Sequence, residues 1–191
     1  MMCGRYFMGA DDVRAYAADI ALENRDASGG AEICPGMEAP AIVSGEPEGA
    51  ARPMRWGFEK PQGGLVINAR VETIGERPMF RALAQKQRCA MPASGYYEWR
   101  RSDRQKYTVA LASAGRFYLA GLWRVGVEGP EFVVLTQPPV EAIVPVHNRM
   151  PLLLPGADAL RRWLAGETPL YADSAALRVA AAGPEQLSML F

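Results

Sequence analysis

The chain has little from which to build a metal centre or a disulfide framework. Its 191 residues include one histidine, His147, and three cysteines, Cys3, Cys34 and Cys89, which lie far apart without paired spacing. That pattern argues against a disulfide scaffold or a zinc site and suits a reducing compartment. No clustered Asp or Glu pattern makes up the deficit, so neither a metal nor any other cofactor is expected. Long apolar runs are also missing. Stretches such as residues 152–154 are far too short to span a bilayer. The opening Met1-Met2-Cys3-Gly4-Arg5 lacks the apolar segment of a secretion signal. A cytoplasmic protein without membrane association, and a monomer, is expected. Neither sign of charge is in excess, since 21 basic residues balance 21 acidic ones. Bulk charge therefore gives no support for a polyanionic partner.

Lysine is scarce as well. Only Lys60, Lys86 and Lys106 occur, so arginine supplies the other 18 basic residues. Arginine suits phosphate because its planar fork donates two parallel hydrogen bonds. An Ala-rich, Arg-rich, Lys-poor chain also reflects GC-rich coding, and that reading covers most of these arginines. A phosphate argument has to rest on where particular arginines sit.

What is present fits one domain over residues 1–185, with 186–191 as a tail. Asp11 reads as the cap of a helix running to about residue 24, with Val13, Tyr16, Ala17, Ile20 and Ala21 on one face. Further helices are predicted over 78–87, 157–164 and 174–182. Short strands are predicted near 41–44, 65–67, 88–91, 96–101, 107–112, 117–122 and 132–135, separated by turn signals such as Gly115 and Gly129-Pro130. Met54-Arg55-Trp56-Gly57-Phe58 reads as a turn-like aromatic stretch. Successive strands with peripheral helices predict an α+β fold.

Four segments could carry chemistry. Cys34 and Cys89 read as inert, buried thiols. Cys3 differs by its address, because as residue one it would carry an α-amine and a thiol on one carbon skeleton. An α-amine of pKa about 7.7–8.0 is partly neutral, hence nucleophilic, near neutral pH. Such a 1,2-aminothiol condenses with an aldehyde to an imine, and the thiolate then closes a thiazolidine ring. Position alone leaves structural and functional readings of Cys3 level. His147-Asn148-Arg149 follows a Pro-rich apolar run, an odd place for a core filler. The imidazole could move protons, and Arg149 could hold a phosphate. Glu98 sits within Gly95-Tyr96-Tyr97-Glu98-Trp99; burial beside Trp99 would raise its pKa and suit it to acid–base work, whereas exposure would leave it a solvated strand residue. Asn68-Ala69-Arg70-Val71-Glu72 sets an amide and a guanidinium on one strand face. The simpler reading there is a strand-end turn with Arg70 paired to Glu72.

Taken in order, these segments resemble the SOS-response-associated peptidase family, whose members cross-link to abasic sites in single-stranded DNA. The resemblance rests on Cys3-Gly4-Arg5, Arg55-Trp56-Gly57, Asn68-Ala69-Arg70 with Glu72, and Arg88-Cys89 with Pro92. It continues through Gly95, Tyr97-Glu98-Trp99, Ala120-Gly121-Leu122-Trp123, Thr136 and His147 with Arg149-Met150-Pro151. The ordered set covers residues 3 to about 154.

The resemblance implies a curved, mainly antiparallel β core with flanking helices and a positively charged DNA-binding groove. It implies that Cys3 is the covalent nucleophile, that Asn68 orients its amine and the sugar, and that Glu98 shuttles protons at the opened deoxyribose. By the same likeness His147 assists imine formation and ring opening, and Arg5, Arg70 and Arg149 hold phosphates. Trp56 and Trp99 become stacking or wedge residues, since aromatic faces bind any base. The partner would be single-stranded DNA carrying abasic sites, with lyase or self-directed peptidase activity as accompaniments.

Two departures from the family pattern stand out. Family members usually begin Met-Cys, but here Met1 precedes Met2, and methionine-trimming aminopeptidases need a small residue next. Translation from Met2 is the reading adopted, because a blocked Cys3 nitrogen cannot close the ring. Glu32-Ile33-Cys34-Pro35 also replaces the Tyr-Asn pair common upstream of Ala-Pro, which weakens any case for a DNA contact in that loop. The tail, Gln186-Leu187-Ser188-Met189-Leu190-Phe191, resembles the peptides that dock on the replication sliding clamp, with Gln186 as anchor and Leu187, Leu190 and Phe191 filling an apolar cleft. Its alternative is that these apolar residues fold back onto the domain. Two other functional classes compete with covalent capture: a cysteine peptidase using Cys3 and His147, and a non-covalent single-strand binder with salt-dependent affinity.

Overall fold

The computed structural model describes residues 4–17, 20, 22, 24–44, 51–113 and 116–182. Cys3 and the 186–191 tail lie outside the described residues. In chain order the elements are β1 (Tyr6–Met8), α1 (Ala10–Tyr16), β2 (Ala31–Ile33), β3 (Glu38–Val43), β4 (Arg52–Trp56), β5 (Phe58–Glu59), β6 (Leu65–Val66) and β7 (Asn68–Arg70). A 3-10 turn over Val71–Thr73 leads to α2 (Pro78–Lys86), β8 (Arg88–Ala93), β9 (Gly95–Trp99), β10 (Lys106–Leu111), β11 (Phe117–Val125) and β12 (Pro130–Gln137). A second 3-10 turn, Glu141–Ile143, precedes β13 (Met150–Pro151), β14 (Leu153–Pro155), α3 (Gly156–Leu164) and β15 (Leu177–Ala181).

The strands form two principal sheets. One runs β15-β10-β9-β1-β2, with every pairing antiparallel. In the other, β12, β4, β3, β8 and β11 pair in succession and β11 pairs back onto β12, so the hydrogen bonds close a ring. Closure leaves those strands without an open edge and requires the sheet to curve. Strands β7 and β13 add to β12 beyond its contact with β4. Among the described residues, the parallel pairings are those of β12 with β4 and with β7. The mainly antiparallel α+β fold expected from the sequence is the one observed.

Strand alternation divides the core in two. Cys89, Met91, Phe117, Leu119, Phe132 and Val134 face one cluster, together with Tyr6, Met8 and Tyr96 of the other sheet. Their neighbours Ala90, Tyr118, Ala120, Val133 and Leu135 face a second, covered by Phe80 and Leu83 of α2 and Leu160 and Trp163 of α3. Both helices begin where the sequence predicts, α2 with Pro78 in its first turn. The Trp163 indole N–H donates to the Cys89 carbonyl at 2.8 Å, fastening α3 to β8. Burial pushes the Cys89 thiol up, consistent with an inert core cysteine.

Three local expectations fail. Helix α1 stops at Tyr16 rather than near residue 24. The Arg25 guanidinium takes the carbonyls of Ala17 and Ile20, at 3.2 and 3.3 Å, which a continuing helix would have used. Ile20 and Leu22 still reach the core, so the apolar pattern was real but not helical. Residues 174–182 hold strand β15 instead of a helix, because β10 offers an edge with full register from Tyr107↔Ala181 to Leu111↔Leu177. Tertiary pairing there overrides the helical propensity of an Ala-rich segment. Finally, residues 52–56 form a strand of the ring, and only Gly57, at φ 117°, makes the turn.

Candidate functional site

Strand β1 pairs with β9 so that Tyr6 opposes Tyr96. The Tyr97 N–H donates to the Arg5 carbonyl at 2.9 Å, extending that register toward the N-terminus. Gly4 and Arg5 are thereby laid beside Glu98 and Trp99. Their side chains, with Gly4, Arg5, Arg100, Arg101, Arg104 and His147, line an open cleft of about 540 Å³. Gly95 allows this close approach. A Cβ there would stand 2.3 Å from a Phe7 ring carbon and 2.8 Å from the Val109 carbonyl oxygen.

Glu98 lines the cleft although it is only 3% exposed. Its Oε1 accepts the Trp99 backbone N–H at 3.2 Å. His147, 4% exposed, comes from the loop between the second 3-10 turn and β13. Its Nδ1 accepts the Arg149 backbone N–H at 3.2 Å. An accepting Nδ1 carries no proton, so the tautomer this bond selects holds its hydrogen on Nε2. Such an N–H is a donor to a sugar or carbonyl oxygen.

Cations and aromatics pack together around Trp99. The Arg5 guanidinium lies 5.6 Å from the Trp99 ring centroid and pairs with Glu32 at 3.4 Å. The Lys106 ammonium sits 5.7 Å from the same ring and 4.0 Å from that of Tyr97. Burial, aided by nearby Glu32, pushes the Tyr97 hydroxyl up to about 12, so it stays protonated at neutral pH. Glu32, which belongs to the segment that departs from the family pattern, thus neighbours Arg5 and Tyr97.

A second group gathers around β12. Arg70 and Pro151 both have Thr136 as their register partner, which sets the ends of β7 and β13 on either side of β12. Arg70 is exposed. Arg149 is not a free cation: its guanidinium grips Glu72 at 2.5 and 2.8 Å and donates to the Thr136 carbonyl at 2.7 Å. The expected partnership of Arg70 with Glu72 is therefore replaced by Arg149 with Glu72. This bond to Arg149 lowers the Glu72 pKa. Asn68 is half-buried on β7 and does not line the cleft.

Trp56 requires a correction. It is fully buried, stacked on Phe132 at 6.0 Å and 12°, with its indole N–H donating to the Ile67 carbonyl at 3.0 Å. No base can reach its faces, so it is a core residue and not a stacking platform. Trp99, half-buried at the cleft, keeps that possibility. Sequence reasoning also passed over Arg100, Arg101 and Arg104. The signal was available as three arginines within five residues directly after Glu98-Trp99.

Comparisons with known proteins agree with this geometry. The chain is 29% identical over 180 residues to the abasic site processing protein YoqW of Bacillus subtilis, covering 85% of this chain and 80% of that one. It is 27% identical over 183 residues to the abasic site processing protein YedK of Escherichia coli, covering 87% and 81%. A crystal structure of a protein from Bordetella bronchiseptica superposes with a TM-score of 0.76 over 95% of this chain and 100% of that one. At 21% identity that likeness shows the fold alone. The model of the SOS response associated peptidase (SRAP) family matches residues 2–189, and the chain belongs to that family.

Proposed function

We propose that this protein processes abasic sites in single-stranded DNA, and that it does so by covalent capture through Cys3 with a free α-amine. The observation that carries the reading is the cleft. It joins the residue adjoining Cys3 to a buried carboxylate, Glu98, an imidazole, His147, and a wall of arginines. The names borne by the relatives in Bacillus and Escherichia point the same way.

The chemistry runs in balanced steps. The sugar at an abasic site equilibrates between a closed hemiacetal and an open aldehyde. His147 Nε2–H is suited to donate to the ring oxygen, and Glu98 to accept the hydroxyl proton as the ring opens. The Cys3 α-amine then adds to the aldehyde carbon and water leaves, giving an imine. The thiolate adds to the same carbon and the imine nitrogen regains a proton, giving a thiazolidine. The sum is protein plus DNA minus one water. With the aldehyde consumed, the base-induced strand cleavage that it promotes is blocked. Asn68 would orient the amine and sugar. Arg5 and Arg70 would bind flanking phosphates, while Arg149, tied to Glu72, would chiefly position His147.

A cysteine peptidase finds less support. In that mechanism one imidazole nitrogen must be free to accept the thiol proton. Here Nδ1 is already taken by the Arg149 N–H and Nε2 carries the hydrogen, so neither nitrogen is free for that step. Docking of the 186–191 tail on a sliding clamp remains a separate proposal, tested by clamp binding of a chain ending at residue 185.

The test is intact-mass measurement of protein beginning at Cys3, before and after addition of an abasic oligonucleotide. The expected product is the sum of the two masses less one water, absent for Cys3→Ala. No adduct from the wild-type chain would defeat the proposal.

A further inference from the structure

The hairpin joining β9 to β10 carries Arg100, Arg101 and Arg104, all of which line the cleft. They do not have the same standing. Arg100 is neutralised by Asp103, with Nε at 3.0 and 3.2 Å from the two carboxylate oxygens, and it also lies over the Tyr107 ring at 5.2 Å. Arg101 and Arg104 are exposed. Among the described residues neither guanidinium has a hydrogen-bond or ion-pair partner. In a chain with no net charge, two unpaired cations have been set on the wall that also holds Glu98 and His147.

The hairpin holds them in a costly shape. Arg104 has φ 59°, the one positive φ among the described non-glycine residues. The left-handed region is unfavourable for an L-residue, and glycine or asparagine would relieve it. The loop is pinned regardless. Arg104 N–H donates to the Arg100 carbonyl at 2.9 Å, and Arg100 N–H donates to the Gln105 carbonyl at 2.9 Å. The Gln105 side chain donates to the carbonyls of Lys106 and Ala182 at 2.8 and 2.9 Å. A strained, pinned turn that presents a long cation points from geometry to use. Pre-ordering also reduces the entropy lost when a ligand binds.

We infer that Arg101 and Arg104 form an outer phosphate subsite, which holds the backbone of the single strand at nucleotides beyond those flanking the lesion. The inference rests on the single-strand reading above and extends it. The inner arginines address the abasic nucleotide, whereas the hairpin governs how much neighbouring strand is engaged. The ordinary alternative is a solvated hairpin tip that contributes solubility alone.

The test uses full-length protein and oligonucleotides bearing a tetrahydrofuran abasic analogue, which has no aldehyde and so reports non-covalent binding only. For a strand of roughly 15 nucleotides, the double variant Arg101→Ala/Arg104→Ala is expected to bind about tenfold more weakly. Its plot of log affinity against log salt should be shallower by about 1.4, from two phosphates at about 0.7 each. A trinucleotide centred on the analogue should bind both proteins equally, and Arg101→Lys/Arg104→Lys should recover most of the affinity. An unchanged salt slope, or equal weakening for trinucleotide and long strand, would overturn the inference. Failure of the parent reading looks different: wild-type protein would then form no adduct with a natural abasic strand, whatever the hairpin does.

Discussion

The backbone N–H of Arg149 donates to Nδ1 of His147 at 3.2 Å, so one residue of the β13 approach sets the tautomer of the chain's one imidazole. The same residue anchors itself through Glu72 and Thr136. The bond to Nδ1 leaves the ring hydrogen on Nε2, which makes Nε2 the donor. Replacing His147 with alanine removes the donor without touching the arginines. Single-turnover capture of an abasic strand should slow by on the order of 10²-fold. Equilibrium binding of the tetrahydrofuran analogue should stay within about twofold. A His147→Ala protein that captures at the wild-type rate would remove the imidazole from the chemistry.

The Arg149–Glu72 pair carries a pH signature. Its hydrogen bond to Arg149 holds Glu72 below the usual carboxylate range. A depressed folded-state pKa contributes stability at pH above the unfolded value of 4.5, and that contribution is lost as pH falls through the lower folded value. Glu72 is 39% exposed in its side chain. Solvent screening therefore discounts the pair to about 1 kcal/mol or less. Glu72→Gln should melt earlier than wild type at neutral pH, by roughly 2–4 °C, and the two curves should converge as pH falls through the lowered folded-state pKa of Glu72. Equal melting temperatures at pH 7 would show that the pair contributes nothing net.

The sequence made the site more legible than its supports. Glu98, His147, Arg5 and Trp99 were named from motif and position, and the fold brings all four to one cleft. Side chains with distinctive chemistry reveal themselves locally, whereas partners far apart in sequence do not. Nothing in residues 68–72 showed that Glu72 would reach Arg149 rather than Arg70, since the choice is made when β7 and β13 both add to β12. Strand β15 was misread for the same reason, its partner β10 being 70 residues away. Helix α1 was over-extended because Arg25, outside the apolar pattern, takes its next carbonyls. The closed ring of five strands was invisible as well, for pairing β11 back onto β12 is a property of the whole sheet.

The two tryptophans taken together as stacking residues should separate cleanly in experiment. Trp56 is buried against Tyr6 and Phe132, so Trp56→Ala leaves a large cavity and should cost about 3–5 kcal/mol. Thermal unfolding should fall by roughly 10 °C. Trp99 stands at the cleft between Arg5 and Lys106 and is half-buried. Trp99→Ala should lower single-strand affinity by about 1–3 kcal/mol, with a much smaller loss of melting temperature than Trp56→Ala. Matching thermal losses in the two variants would place Trp99 in the core as well.

Gly95 tests whether the cleft depends on close packing between β1 and β9. A methyl group at that position would press into the Phe7 ring at 2.3 Å and into the Val109 carbonyl at 2.8 Å. Phe7 could swing aside, because it is only partly buried against Tyr97 at 5.2 Å between ring centroids. The Val109 carbonyl belongs to a paired strand and cannot move alone. Gly95→Ala should therefore lose about 1–3 kcal/mol of stability from overpacking. It should also push β9 away from β10, displacing Glu98 within the cleft. A second substitution, Phe7→Ala, relieves the ring contact but leaves the carbonyl clash. If that carbonyl clash is the cause, Phe7→Ala/Gly95→Ala will capture abasic DNA as slowly as Gly95→Ala. Recovery of the wild-type rate in the double variant would instead assign the defect to the Phe7 ring.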